Sequence, residues 1–294
     1  MIRNRSDTFR DKWEHNRRLA LEETLREGSD LFLWILQRNG FANAGMLAEY
    51  LKDKRRVLDA GCGNGRVTAL LRRYSPSSTQ IVGIDLISVE IARENLEAYQ
   101  LSANVRFMKK DLLDDLTDLG KFDFIYCQEV LHHTSDPTRA FHNLCDLLLP
   151  GGEIAIYVYK KKAPIREFVD DYIRSKISGL SYEEAIQGCN QVTELGRVLS
   201  QLGVTINIPK VDILEIEDGE YDLQRFIYHF FMKCFWNPNL TFQENVAINY
   251  DWYHPQIATR HRLEEVREWF WQAKLKIVHE NVDFYGITVR GKLV

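Results

Sequence analysis

Val57-Leu58-Asp59-Ala60-Gly61-Cys62-Gly63-Asn64-Gly65-Arg66, residues 57–66 of a 294-residue chain, is the stretch on which the fold turns. An apolar run at 56–59 reads as a short buried strand, and 67–73 reads as a helix. Three alternate glycines between them form a turn whose backbone can approach a ligand closely. Such a turn is weak evidence by itself. Downstream, strands are predicted at 81–85, 104–108, 122–127 and 153–159. Helices are predicted near 88–100 and 137–148, the second stopped by Pro150-Gly151-Gly152. Apolar runs alternating with amphipathic helices imply parallel strands joined by right-handed crossovers.

Three acids raise the value of the turn. Asp59 stands just ahead of the glycines, Asp85 ends the second strand, and Asp111 ends the third. A carboxylate ahead of a glycine turn repels a pyrophosphate and suits a cationic ligand. At the end of the second strand it suits ribose hydroxyls, and at the end of the third it suits an exocyclic amine. Each acid alone could be a helix N-cap. In phase with the turn, the three describe an adenosine-containing ligand that carries positive charge in place of phosphates. Asp59 and the GCGNG spacing also argue against a nicotinamide dehydrogenase.

Working outward, residues 8–52 read as helices, with an apolar cluster at 31–36 closed by Asn39-Gly40 and a short helix at 43–52. Phe9 and Trp13, four apart, suit a flap or a docked helix. After 160 the alternation breaks. Helical stretches at 164–176 and 181–202 precede a polar segment at 209–220. Between 221 and 253, eleven of thirty-three residues are aromatic, against 34 in the whole chain, so this stretch builds either a pocket wall or a local core. The alternation resumes with a helix at 259–274, capped by Thr259, and two antiparallel strands at 275–282 and 284–290 turning at Asp283. The expected organisation is an N-terminal helical cap (1–52), a core (53–160 and 259–294), and an inserted lid (161–258) over one sheet end rather than a separate domain.

Composition bounds the partners. Hydrophobic residues make up 45% and charged residues 27%, as in a globular protein, which excludes a disordered chain. A net charge of −4 disfavours a nucleic-acid partner, although a local basic patch would suffice. Cys62, Cys127, Cys145, Cys189 and Cys234 are odd in number and form no CxxC pair. That argues against disulfides and zinc and fits a reducing compartment. With no apolar leader and no run of roughly 18 apolar residues, a cytoplasmic, soluble protein with no membrane contact is expected.

VLDAGCGNGR resembles the first motif of class I S-adenosylmethionine-dependent methyltransferases. VGIDLI is similar to their second-strand acidic motif, FDFIYCQEVLHHTSDP to their fourth, and LLLPGGEIAIYVY to the turn before their fifth strand. The likeness covers about 55–160 and extends to 259–294, in the small-molecule branch that includes ubiquinone/menaquinone-type enzymes. It implies a Rossmann-like three-layer α/β sandwich around a mostly parallel seven-stranded sheet with an antiparallel terminal strand. It also implies S-adenosylmethionine as cofactor, S-adenosylhomocysteine as product, and a small-molecule acceptor. Gly61, Cys62 and Gly63 would hold the methionine part, with Asp59 near its ammonium. Asp85 and Leu86 would hold the ribose, Asp111 and Leu112 the adenine, and Cys127 and Gln128 the homocysteine side. Cys127-Gln128-Glu129-Val130 departs from the Asn/Asp-Pro-Pro-Tyr type used on base amines. RNA or protein methylation, and a catalytically silent binding module, remain alternatives.

Methyl transfer from a sulfonium needs an aligned nucleophile, with a base only for acceptors such as alcohols or phenols. Candidate catalytic groups are His132 and His133 after the fourth strand, and Arg225 and His229, which share a helical face. Candidate acceptor contacts are Tyr157, Tyr228, Tyr250, Trp252, Tyr253 and His254. For most of these aromatics a local core is the simpler account. Lys160-Lys161-Lys162 fits a solvated turn. No metal site is expected.

Overall fold

The computed structural model describes residues 5–294, with side chains from Thr8 onward, so the first residues of the charged N-terminus lie outside the described ones. Four helices lead in: α1 (Arg5–His15), α2 (Leu21–Leu25), α3 (Asp30–Arg38) and α4 (Ala44–Leu51). The Ser29 hydroxyl accepts from Phe32 N to start α3, and the Asn43 side chain accepts from Met46 N to start α4. There follow β1 (Arg56–Ala60), α5 (Arg66–Tyr74), β2 (Gln80–Asp85), α6 (Val89–Ala98), β3 (Val105–Lys109), β4 (Phe122–Gln128), α7 (Pro137–Cys145) and β5 (Leu148–Tyr159). The middle of the chain forms α8 (Pro164–Ile177), α9 (Tyr182–Gln201), β6 (Thr205–Ile208), β7 (Gly219–Asp222), α10 (Leu223–Phe230) and α11 (Phe242–Tyr253). The last elements are α12 (Leu263–Gln272), β8 (Leu275–Val282) and β9 (Gly286–Leu293).

Two compact units result. One comprises Trp13–Lys160 with Thr259–Val294, the other Lys161–Ala258 with the described residues up to Lys12. The expected 1–52 cap is therefore divided: from Trp13 on, its helices belong to the sheet unit. The insertion, expected to lack independence, has its own apolar cluster of Ala163, Ile216, Phe226 and Phe230, flanked by Ile206, Ile208 and Tyr221.

The sheet unit contains seven strands in the order β3-β2-β1-β4-β5-β9-β8. The first five are mutually parallel, and β9 runs antiparallel to both β5 and β8. This is the Rossmann-like arrangement that the family resemblance implied, built on the parallel strands that the alternating pattern predicted. Parallel strands joined by helices must be covered on both faces, and side chains here divide with period two. Leu58, Ala60, Ile84, Ile125, Cys127 and Ile156 pack with Phe141, Leu144, Val266 and Phe270 of α7 and α12. Val57, Ile81, Phe124, Tyr126 and Ala155 pack with Phe32, Leu36, Leu47 and Leu70 of α3, α4 and α5. Burying each large apolar side chain contributes about 1.5–3 kcal/mol.

Three boundaries differ from the sequence reading. α7 stops at Cys145 and β5 begins at Leu148, so the strand runs through Pro150-Gly151-Gly152 instead of starting after it. A register shift between Phe122 and Phe124 on β4, with Gly151 at φ +78°, absorbs the proline that cannot donate to the ladder. Thr259 does not cap α12, which starts at Leu263. Its N–H instead donates to His132 O at 2.8 Å, and the following chain joins β5 through His261 N to Tyr159 O at 2.8 Å. The polar segment near 209–220 ends in β7, which pairs antiparallel with β6. Among the described residues, no helix is long and apolar enough to cross a membrane.

Candidate active site

In the sheet order, β1 is flanked by β2 on one side and β4 on the other. Successive crossovers therefore leave in opposite directions and open a crevice at the carboxyl ends of these strands. The glycine turn lies there. Gly61 N and Cys62 N both donate to Ile84 O, at 2.7 and 2.9 Å, tying the turn to β2. Gly61 has φ +81°, and a Cβ on it would lie 2.3 Å from Val130 Cγ2. A Cβ on Gly63 would lie 2.8 Å from the Trp13 ring, so Trp13 rests against the turn. Only glycine satisfies both the backbone and the space at Gly61.

The three carboxylates stand at the ends of three adjacent strands. Asp59 pairs with Gly83, which places Asp85 two residues further along the same face. Asp111 lies two residues beyond Lys109, the partner of Asp85. Their environments differ sharply. Asp85 Oδ1 accepts from Ile87 N (2.8 Å), Ser88 N (3.1 Å) and Ser88 Oγ (3.1 Å), while Oδ2 accepts from Gly63 N (3.0 Å). One lone pair of Oδ2 therefore remains for a ligand hydroxyl. Asp59 is 2% exposed, and its Oδ2 accepts from Thr68 Oγ1 at 2.5 Å. Burial pushes its carboxyl up to about 7, against the lowering effect of the Thr68 bond. Asp111 Oδ1 accepts from Leu113 N at 3.0 Å.

Other residues singled out in the sequence divide by face. Cys62 packs with Val89, Ala92 and Phe107, and burial lifts its thiol well above the ordinary range. Cys127 and Leu112 belong to the apolar core, so their main chain alone is available to a ligand. Leu86 is half-buried beside Asp85. Gln128 ends β4 on the opposite face from Cys127, with its Oε1 accepting from the Tyr126 hydroxyl. The next residue, Glu129, has φ +58°, a strained conformation for a non-glycine residue, and its carboxylate meets Arg66 Nη2 at 2.7 Å. His132 and His133 form a 3₁₀ turn after β4, their rings 4.3 Å apart. His132 stacks on Tyr159 at 3.7 Å. Tyr157 lies on β5 in register with Gln128.

The remaining candidates fall in the inserted unit, around an acid that the sequence reading missed. Asp170 is 1% exposed and accepts from Arg166 Nε (3.1 Å), Lys233 N (2.9 Å) and Trp252 Nε1 (2.8 Å), with the Tyr253 hydroxyl at 2.7 Å. Trp252 and Tyr253, expected on an acceptor wall, thus direct their polar atoms to this internal network. Tyr228 lies under the Arg166 guanidinium at 4.7 Å. Tyr250 stacks on His254 at 4.5 Å, and His254 Nε2 lies 3.2 Å from Leu180 O. Arg225 Nη2 donates to Trp236 O at 3.1 Å. Burial, aided by Arg166, Arg225 and Lys162, pushes His229 down to about 3. That makes it a neutral imidazole with little proton affinity at pH 7. The i, i+4 spacing of Arg166 and Asp170 was the available signal for the hub. Among the described residues, no cluster of His, Cys, Asp or Glu could hold a metal ion.

Comparison with known proteins agrees with this geometry. Residues 51–194 match a family model described as a methyltransferase domain. Similar relatives include an uncharacterized protein of Synechococcus, 37% identical over 38% of this chain and 28% of that protein. Another is the ubiquinone biosynthesis O-methyltransferase of Coxiella burnetii, 34% identical over 35% of this chain and 43% of that enzyme. The matched region thus spans less than half the length of these relatives. Among solved structures, PKMT2 from Rickettsia typhi superposes with a TM-score of 0.54 at 17% identity, over 84% of this chain and 52% of that one; this likeness concerns the fold. The sheet and its glycine crevice define a nucleoside-binding α/β domain. More particularly, the chain carries a methyltransferase domain of the class I, S-adenosylmethionine-dependent type.

Proposed function

We propose that this chain methylates a small-molecule acceptor by in-line transfer from S-adenosylmethionine. The observation that carries this reading is the left-handed glycine turn beside Asp85 at the switch point of the sheet, within the matched domain. The residues present fit the cofactor. A Cβ would fill the cradle at Gly61, and the Asp85 carboxylate retains an acceptor site.

In this reading the backbone of Gly61 and Gly63 admits the methionine part, Asp85 Oδ2 accepts a ribose hydroxyl, and Asp111 with Leu112 faces the adenine. When bound, the cofactor supplies an electrophilic methyl group on a positively charged sulfur. Gln128 and the main chain of Cys127 hold its amino-acid side. Asp59 favours positive charge once it is ionised. His132 and His133 are the candidates for taking a proton from a hydroxyl acceptor, a task for which His229 is poorly suited. We assign acceptor choice to the aromatic-rich insertion on compositional grounds. No nucleic-acid or membrane partner forms part of the proposal, and we place the activity in the cytoplasm.

Calorimetry with S-adenosylmethionine and S-adenosylhomocysteine tests the reading directly. Saturable binding of both is expected, followed by transfer of labelled methyl to members of a small phenol, amine and carboxylic-acid panel. No binding at high micromolar concentration would overturn it.

A further inference from the structure

The inserted unit gathers buried positive charge. Lys162, Arg166, Arg174 and Lys233 are each less than a tenth exposed, and among the described residues of this unit Asp170 is the one carboxylate buried as deeply. Long cationic side chains are seldom buried without an anion. Arg174 meets the more exposed Asp171 at 2.6 Å and donates to Trp252 O at 2.9 Å. Asp170 is fully engaged, because its four donors fill the acceptor sites of both oxygens. It takes Arg166 by Nε, on one edge of the guanidinium. Among the described residues, no acceptor bonds the two terminal nitrogens of Arg166.

Two further cations converge on the same place. The guanidinium carbons of Arg166 and Arg225 lie 4.7 and 5.6 Å from the ring centroid of Tyr228. Arg166 also lies 5.3 Å from the Trp252 ring, and Lys162 Nζ lies 5.7 Å from it. Arg225 Nη2 is spent on Trp236 O, while Nη1 is buried without a partner among the described residues. The His229 ring stands 5.0 Å from that of Tyr228, and the field of Arg166, Arg225 and Lys162 joins burial in pushing this imidazole down. Nearby acids serve the main chain: Glu167 accepts from Lys162 N at 2.7 Å, and Asp222 accepts from Arg225 N at 3.0 Å to cap α10. Aromatic faces offset part of the cost of burying a cation, but they accept no ordinary hydrogen bond. Two guanidinium groups and an ammonium match a phosphate group, whose oxygens take arginine in paired bonds. A phosphate monoester carries about −1.5 to −2 charge at pH 7, which suits three cations better than the single charge of a carboxylate.

We propose that Arg166, Arg225 and Lys162 form a phosphate-binding site within the inserted unit, with Tyr228 and His229 at its wall. The phosphate has two sources to tell apart: an ester group on the methyl acceptor, or free phosphate. The first deepens the methyl-transfer reading and rests on it. Binding itself stands apart from that reading.

The test titrates the full chain with inorganic phosphate and with phenyl phosphate by calorimetry at constant ionic strength. Arg225→Met and Arg225→Lys are compared with Arg197→Met, which removes one positive charge from a partly exposed pair with Glu194 on α9. Saturable binding to the wild-type chain is expected. Arg225→Met should weaken it roughly 10–100-fold, and Arg225→Lys should recover part of the loss. Arg197→Met should stay within about twofold. If the acceptor is the source, phenyl phosphate binds more tightly than inorganic phosphate, and para-hydroxyphenyl phosphate is methylated with a KM that Arg225→Met raises. If free phosphate is the source, inorganic phosphate binds at least as tightly as the ester, and the ester is not methylated. Absence of saturable binding by either probe overturns the site. So does an unchanged affinity in Arg225→Met, or an equal loss in Arg197→Met, which would mean a diffuse charge effect. Should circular dichroism show Arg225→Met unfolded, Lys162→Met takes its place with the same expected loss. A chain that binds phosphate but no S-adenosylhomocysteine sinks the methyl-transfer reading and leaves this site standing, and the reverse result does the opposite.

Discussion

Two buried aspartates, one in each compact unit, are treated differently. In the inserted unit, Asp170 is surrounded by a guanidinium, an indole N–H, a phenol and a backbone N–H. In the sheet unit, Asp59 is nearly as deeply buried, with Thr68 as its hydrogen-bonding neighbour, and burial pushes its carboxyl up to about 7. A carboxylate whose task is to hold a fold together is given all the donors it needs. One left short of donors beside a crevice remains responsive to what enters.

The largest expected effect comes from breaking the satisfied network. Asp170→Ala strands the Arg166 cation in the interior and should destabilise the inserted unit by about 3–5 kcal/mol. Urea denaturation combined with limited proteolysis at 161–258 reads this out. A cost below about 1 kcal/mol would erase the contrast with Asp59. Gly61→Ala is next. It forces a Cβ to within 2.3 Å of Val130 at φ +81°, for a cost of about 1–3 kcal/mol together with lost nucleoside binding. Gly28→Ala is the control, with the same φ of +81° and nothing within 4 Å of the added atom. It should cost only about 1 kcal/mol and leave binding intact.

Asp85→Asn should weaken S-adenosylhomocysteine roughly 10–100-fold by calorimetry, because the substitution removes the charge from a carboxylate that also holds Gly63 N. An unchanged affinity would shift attention from β2 to other strand ends. The smallest effect is a pH slope. Burial lifts Asp59 in the folded chain to about 7, above the unfolded value of about 3.9. Between those values the folded state holds the extra proton. The stabilisation is complete below about pH 4 and is lost as pH rises through 7, amounting to about 1 kcal/mol between pH 6 and 8. Asp59→Asn should flatten that slope in chemical denaturation curves recorded across the range.

Much of the sheet unit was legible because its signals are local. The glycine turn, the apolar runs of β1, β2 and β4, and the acid at the end of β2 can each be read within a few residues. What escaped depends on distant partners. Thr259 looked like a cap, yet its N–H bonds to His132 O, 127 residues away in sequence. The hairpin of β6 and β7 hides in a polar stretch because its strands are four residues long and only partly buried. The aromatic stretch was correctly seen as dense, but it took Asp170 to explain where Trp252 and Tyr253 point.

The place of β9 in the sheet has a consequence for synthesis on the ribosome. This strand, residues 286–293, is laid between β5 and β8, so β5 keeps an unpaired edge until those residues have emerged. During translation of the intervening hundred-odd residues, a strand rich in Ile, Val and Tyr would offer open backbone groups to any neighbouring chain. A nascent chain stalled before Gly286 should therefore be captured by chaperones or aggregate, and release past Leu293 should bring protection to β5 in a single late step.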